Sequence, residues 1–273
     1  MDPDPVAVAE GTPGGLIMVP RATFLTQYWD YRPGEHVTMV APTGYGKSWW
    51  KNDLLAATAT PDLPAVVLAT KPRDATMDRL LRRTDLRRVT TWPPRELGQV
   101  VTSQSQSKPP GWVVWPIFTG DPRRDDAEHV RIFRRALIHP YSRNAKTRKN
   151  LVGRPAARQR ALKPMIIDVD EIYGVAIEMP LRREMITLWS KGRSVGIGLW
   201  GGTQRPFDVP QHAYSQPQHL FLGYTPDRRD RQRFREIGGV NPDLVMAVTE
   251  RLAWRQWLYI HREQQAMCVI EAR

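Results

Sequence analysis

The stretch Val37-Thr38-Met39-Val40-Ala41-Pro42-Thr43-Gly44-Tyr45-Gly46-Lys47-Ser48 decides the fold. A short run of strand character enters a loop with two glycines, and Trp50, Leu54 and Ala57 then recur at helical spacing. Strand, glycine loop and helix in that order, with Lys-Ser at the helix start, is the arrangement of a phosphate-binding loop. Gly44 and Gly46 allow successive backbone N–H groups to face one concavity, and the helix N-terminus adds partial positive charge. Thr43, Gly44, Tyr45, Gly46, Lys47 and Ser48 are therefore the expected nucleotide-binding residues. Lys47 would reach the β- and γ-phosphates of ATP as a point charge, and the Ser48 hydroxyl would ligate Mg²⁺. Two positions depart from the commonest pattern: Ala41 stands where a glycine usually opens the loop, and Tyr45 stands where the residue is usually small.

Such a loop needs acids on a neighbouring strand, one to hold the metal's water shell and one to polarise the attacking water. Met165-Ile166-Ile167-Asp168-Val169-Asp170-Glu171 supplies them at the end of an apolar run. Asp170 is assigned to the metal and Glu171 to the water. Asp168 lies two residues earlier, on the same strand face as Asp170, and is the alternative for the metal.

Working outward, further apolar runs occur at Ala65 to Leu68, Trp112 to Trp115, Val195 to Trp200 and His219 to Leu222. Amphipathic stretches lie between them, including one from about Asp125 to Ile138. Buried parallel strands alternating with crossover helices fit this pattern, so an α/β fold with a mostly parallel central sheet and helices on both faces is expected. Trp257 to Ile260 and Met267 to Ile270 flank a polar turn and predict a C-terminal β-hairpin. Residues 1–20, rich in proline and glycine, read as a flexible arm ahead of a single domain over 21–273. Tyr141 to Lys163 reads as a basic loop, because eight lysines and arginines occur there without one acidic residue.

The chain has 273 residues, with 40 lysines and arginines against 28 acids, a formal net charge of +12. Such an imbalance points to a polyanionic partner, first of all nucleic acid. No run approaches the roughly 20 apolar residues of a membrane span, and the acidic start does not read as a secretory signal. The single cysteine, Cys268, excludes an internal disulfide and a cysteine-cluster zinc site. A reducing, cytoplasmic setting is expected.

The segment Gly192-Arg193-Ser194-Val195-Gly196-Ile197-Gly198-Leu199-Trp200-Gly201-Gly202-Thr203-Gln204-Arg205-Pro206, taken with Asp170-Glu171, resembles the FtsK/HerA superfamily of DNA-pumping ATPases. The similarity runs from about Gly34 to the final hairpin and implies a RecA-like P-loop NTPase. It implies further that Gln204 is the polar sensor of the γ-phosphate or the attacking water, and that Arg193 reaches a neighbouring subunit's nucleotide, with Arg205 a weaker candidate. Members work as homo-oligomeric rings, so five or six subunits are expected. The basic residues Arg143, Lys146, Arg148, Lys149, Arg154 and Arg158 are then the expected contacts to double-stranded DNA, supported by Arg131, Arg134 and Arg135 on one helix face.

Larger family members carry membrane segments or barrels, for which no room is expected here, and terminase-type packaging proteins append a nuclease, which no second acidic cluster in the C-terminal fifty residues suggests. The nearly bare motor resembles the small genome-packaging ATPases of tectivirus-like phages. An ATP-driven translocase that packages a viral genome into a preformed capsid is therefore expected, in the host cytoplasm or at the packaging vertex, with a capsid vertex or portal protein as partner. Alternatives are a plasmid or mobile-element DNA-transfer ATPase, or a DNA-binding nucleotide switch with little turnover. Lys47→Ala should abolish nucleotide binding in a folded variant, as measured by equilibrium titration with ATP. Unchanged affinity would remove the phosphate-loop assignment.

Overall fold

A computed structural model describes residues 15–94, 97, 108–150, 153 and 162–272. Among these, ten strands occur in chain order: β1 Met18–Val19, β2 Val37–Val40, β3 Ala65–Leu68, β4 Arg87–Val89, β5 Gly111–Val114, β6 Met165–Val169, β7 Ile197–Thr203, β8 His219–Leu222, β9 Trp257–His261 and β10 Ala266–Ile270. The chain divides into two compact units that alternate along the sequence. One comprises Met1–Asp30, Val37–Lys47 and Thr203–Arg273, the other Tyr31–His36 and Ser48–Gly202.

In the first unit the strand order is β1-β10-β9-β8-β2. β9 pairs antiparallel with both β8 and β10, whereas β2 with β8 and β1 with β10 are parallel. The antiparallel pair β9–β10 is the hairpin expected from its two apolar runs and polar turn. In the second unit the order is β7-β6-β3-β5-β4, and every pairing is parallel. All residues of β2, β3, β5, β6 and β8 are buried. Strands covered on both faces lose the alternating pattern and appear as continuous apolar runs, which is why they were legible. The mostly parallel α/β class follows.

β4 and β1 gave no such signal. Arg87 and Arg88 are exposed on an edge strand, where charge is tolerated and protects against edge pairing. Met18 and Val19 lie inside the segment expected to be a flexible arm, yet they pair with Val269 and Ile270, and Val19 is buried. The arm is thus tied down at its end, and residues 1–14 lie outside those described.

The largest departure concerns the basic segment from Tyr141. The helix expected to close near Ile138 runs from Pro122 to Asn150 and contains Pro140. Residues 141–150 are therefore helical and not loop. An internal proline forfeits one backbone hydrogen bond and crowds the preceding turn, at about 3 kcal/mol. The contacts beyond it offset that cost. Asn144, 1% exposed, donates through Nδ2 to the carbonyls of Lys163 at 2.8 Å and Val195 at 2.9 Å, and its Oδ1 accepts from the Lys163 N–H. One amide side chain thereby fastens the helix to the chain entering β6 and to the turn before β7.

Replacing Asn144 with Ala leaves the buried Val195 carbonyl without this donor, whereas the Lys163 carbonyl keeps a bond from Arg143; an uncompensated buried group costs about 1–3 kcal/mol. Denaturant unfolding should show Asn144→Ala destabilised by at least ~1 kcal/mol, whereas Thr147→Ala, one turn on, should change little.

Candidate active site

The phosphate-loop sequence leaves β2 at Val40 and enters the helix Lys47–Thr58. Gly44 and Gly46 have φ of +76° and +101°, left-handed conformations that a side chain would strain, and no atom lies within 4 Å of where a Cβ would stand on either. The glycines therefore leave the space over the loop open. Tyr45 N–H donates to the Pro42 carbonyl at 3.3 Å and closes the turn. The Lys47 ammonium folds back over the loop, donating to the carbonyls of Ala41 at 2.6 Å and Pro42 at 3.2 Å. Thr43 Oγ1 donates to Gln204 Oε1, and Ala41 N–H donates to the Thr203 carbonyl. The loop and the residue expected to be its sensor are thus hydrogen-bonded neighbours.

The two departures in the loop share one explanation. Tyr45 is 1% exposed, and its side chain turns into the core of its own unit. The hydroxyl accepts from Tyr224 N–H and donates toward the carbonyls of Ala253 and Gln256, while the ring meets Trp254 and Trp257 edge-on at 5.0 Å. Gly223, just past β8, makes the room: a Cβ there would come within 2.6 Å of the Tyr45 ring and 2.7 Å of the Ala41 methyl. Burial pushes the Tyr45 hydroxyl pKa up to about 12, so it stays a neutral donor. Any nucleotide contact from Tyr45 must therefore come from its backbone.

In the second unit, Asp168 ends the apolar run of β6 and Asp170 follows the strand. Ser48 Oγ donates to Asp170 Oδ1 at 3.0 Å, whereas Asp168 is fully buried and makes no bond to Ser48. The partner of the loop hydroxyl is therefore Asp170. Glu171 is half-buried next to it, and its carbonyl accepts the Val175 N–H that starts the following turn. Gly201 and Gly202 of β7 let this corner approach: a Cβ on Gly202 would lie 2.5 Å from the Asp170 carbonyl, and one on Gly201 2.7 Å from Ile172.

The sequence reading missed Lys51. Trp50 and Leu54 are buried as expected, but Ala57 is exposed, and the covered face of the helix includes Lys51 and Leu55 instead. Lys51 is 1% exposed, with Nζ 3.0 Å from Asp168 Oδ1 and 3.0 Å from Asp170 Oδ1. Burial works against its charge, but the two carboxylates outweigh burial and raise its pKa above the ordinary lysine value. For Asp170, burial is likewise outweighed by Lys51 and by the hydrogen bond from Ser48, which lower its pKa to about 2. Asp168 goes the other way, up to about 6, chiefly through burial, with Lys51 opposing and Asp170 adding to the rise.

Arg193 is exposed in a turn, Arg193–Val195, ahead of β7. β6 and β7 are parallel and in register from Met165 and Ile197. Arg193 thus stands beyond one end of the pair and Asp170 beyond the other, on the order of 15–20 Å along the strands. The two do not converge within one chain.

Of the expected DNA contacts, Arg143 is half-buried and donates to the Lys163 carbonyl at 2.9 Å, and Lys146 is exposed. Arg148 and Lys149 lie on the last turn of the helix, and Arg154 and Arg158 lie outside the described residues. Arg131 pairs with Glu128 and Arg134 with Glu184.

No protein-family model and no curated protein matches the chain. Solved structures do. The DNA-packaging ATPase B204 from Sulfolobus Turreted Icosahedral Virus is 13% identical with a TM-score of 0.54, covering 89% of this chain and 100% of that one. The genome packaging NTPase B204 from Sulfolobus turreted icosahedral virus 2, in complex with AMP, is 13% identical with a TM-score of 0.57 over the same shares. The pCW3 conjugation coupling protein TcpA, with ATPγS, is 13% identical with a TM-score of 0.53, covering 87% of this chain and 59% of that one.

Tyr45→Phe keeps the ring packing but leaves the Tyr224 N–H and the carbonyls near β9 without the hydroxyl. It should lower stability by about 1–3 kcal/mol in denaturant unfolding. An unchanged midpoint would mean that the ring alone anchors the loop.

Proposed function

From the FtsK/HerA-like P-loop ATPase fold that the chain shares with those structures, we propose that it is an ATP-driven translocase of double-stranded DNA that packages a viral genome into a preformed capsid. The observation that carries the ATPase reading is the Ser48–Asp170 hydrogen bond, with Glu171 directly following Asp170. It joins the residue that ends the phosphate loop to the acidic end of a buried strand, where open α/β sheets take their ligands.

The residues fit the groups this reading requires. The open space at Gly44 and Gly46 would admit phosphate oxygens to backbone N–H groups, with Lys47 supplying the countercharge. Hydroxyl and carboxylate oxygens suit a hard divalent cation, and among the described residues Asp170 Oδ2 carries no hydrogen bond. Ser48 and Asp170 would hold Mg²⁺, which when bound neutralises charge developing on the transferred phosphoryl group. Lys47 releases the loop carbonyls and binds the phosphates. Gln204, leaving Thr43, orients the attacking water, and Glu171 takes its proton.

Arg193, beyond the opposite end of the β6–β7 pair from Asp170, serves a neighbouring copy in a homo-oligomeric ring of five or six. Hydrolysis then depends on assembly. Residues 21–273 work as one catalytic domain, and the exposed Lys146 with Arg148, Lys149, Arg154 and Arg158 grips DNA phosphates. Arg143, committed to the Lys163 carbonyl, contributes less. The packaging role, in the host cytoplasm at a capsid vertex or portal, is supported by the likeness to two viral packaging enzymes that this chain covers almost end to end. The likeness to TcpA supports a second reading, a DNA-transfer ATPase of a plasmid or mobile element, with the same chemistry.

The test is the ATPase rate with and without duplex DNA over a range of salt. DNA should stimulate turnover, and the stimulation should fall with salt as phosphate contacts are screened. Glu171→Gln should still bind ATP but turn over about 100-fold more slowly or worse. Turnover unaffected by DNA would favour a nucleotide switch.

A further inference from the structure

The helix that begins at Lys47 carries a second lysine one turn on, and the ATPase chemistry has no use for it. Lys51 is sealed in with Asp168 and Asp170. A lysine that serves only packing keeps its ammonium near water. This one is held at 3.0 Å from a carboxylate oxygen on each side.

The three charges are not equivalent. Asp168 is 0% exposed, and among the described residues neither of its oxygens has a hydrogen-bond partner beyond the ion pair with Lys51. Asp170 receives two donors on one oxygen, Ser48 Oγ and Lys51 Nζ, both to Oδ1. Two donors on a single oxygen fix the rotation of the carboxylate and leave Oδ2 without a hydrogen bond among the described residues. Asp168 lies on the same strand face two residues earlier, and without a cation between them the two buried carboxylates would repel.

We propose that Lys51 is a positioning residue for the metal site: anchored by Asp168, it locks the Asp170 carboxylate so that one oxygen engages Ser48 and the other is presented to the water shell of a nucleotide-bound divalent cation. Asp168 is then the counter-ion of Lys51 and not a metal residue. The inference rests on the ATPase reading and adds to it a part that the phosphate-loop motif does not contain. Groups that orient a metal's ligands typically matter by about 10–100-fold in affinity or activity.

The experiment measures binding of a fluorescent N-methylanthraniloyl ADP to the full-length protein, in EDTA and across a Mg²⁺ titration, for wild type, Lys51→Met and Lys51→Arg. In Lys51→Met, nucleotide affinity in EDTA should stay within about twofold, because Lys47 and the glycines are untouched. The Mg²⁺ concentration for half-maximal enhancement should rise about tenfold or more. Lys51→Arg, which keeps charge and donors, should recover much of the loss.

If Lys51→Met does not fold, the double variant Lys51→Met/Asp168→Asn removes one charge of each sign and is read instead, with the same expected Mg²⁺ defect. A wild-type Mg²⁺ response in whichever of the two folds overturns the proposal. So does a tighter response, since Lys51 would then merely compete with the metal. Wild-type protein that binds no nucleotide in either condition would sink the ATPase reading itself, a result distinguishable from both.

Discussion

Charge buried beside charge is the constraint on which the second unit depends. An ammonium or a carboxylate taken out of water alone costs several kcal/mol, so Lys51, Asp168 and Asp170 are tolerable inside only as a set. Their mutual satisfaction requires the helix Lys47–Thr58 and the end of β6 to meet at hydrogen-bond distance. Removing one partner of such a group typically costs about 3–5 kcal/mol, so the arrangement resists drift. Ser48, three residues before Lys51 on the same helix, is brought to Asp170 by the same approach.

A comparable constraint acts on the loop in the first unit. A phosphate loop works through its backbone, which must stay open toward the ligand while its chain is fixed elsewhere. Here the fixing group is Tyr45, whose ring and hydroxyl are consumed by Trp254, Trp257, Tyr224 and the chain before β9. The cleared space comes from Gly223. Ala41 and Tyr45, which looked like weaknesses of the motif, are one half of a volume exchange whose other half lies about 180 residues further along the chain.

The parts of the candidate site that the sequence proposed share a property: each is a local pattern whose chemistry needs neighbours in sequence. Gly44, Gly46, Lys47 and Ser48 form one turn, Asp168 to Glu171 close one strand, and Thr203-Gln204 ends another. What escaped was settled over long range. Pro140 reads locally as a helix end, and only the clip from Asn144 to Lys163 and Val195 carries the helix through it. Lys51 reads locally as a solvated charge, and only β6 turns it into a buried one. Met18 and Val19 read as part of a loose arm, and only β10 gives them a ladder.

The sequence alone therefore determined the fold class and singled out the glycine loop and the acids as candidates, because buried parallel strands and a glycine loop followed by a helix leave patterns within a dozen residues. Tertiary structure decided between Asp170 and Asp168 as the partner of Ser48, turned Tyr45 inward, committed Arg143 to a backbone carbonyl and enclosed Lys51. Those outcomes depend on which side chains meet across distant segments, and hydrogen bonding and desolvation act on that proximity whatever the spacing along the chain.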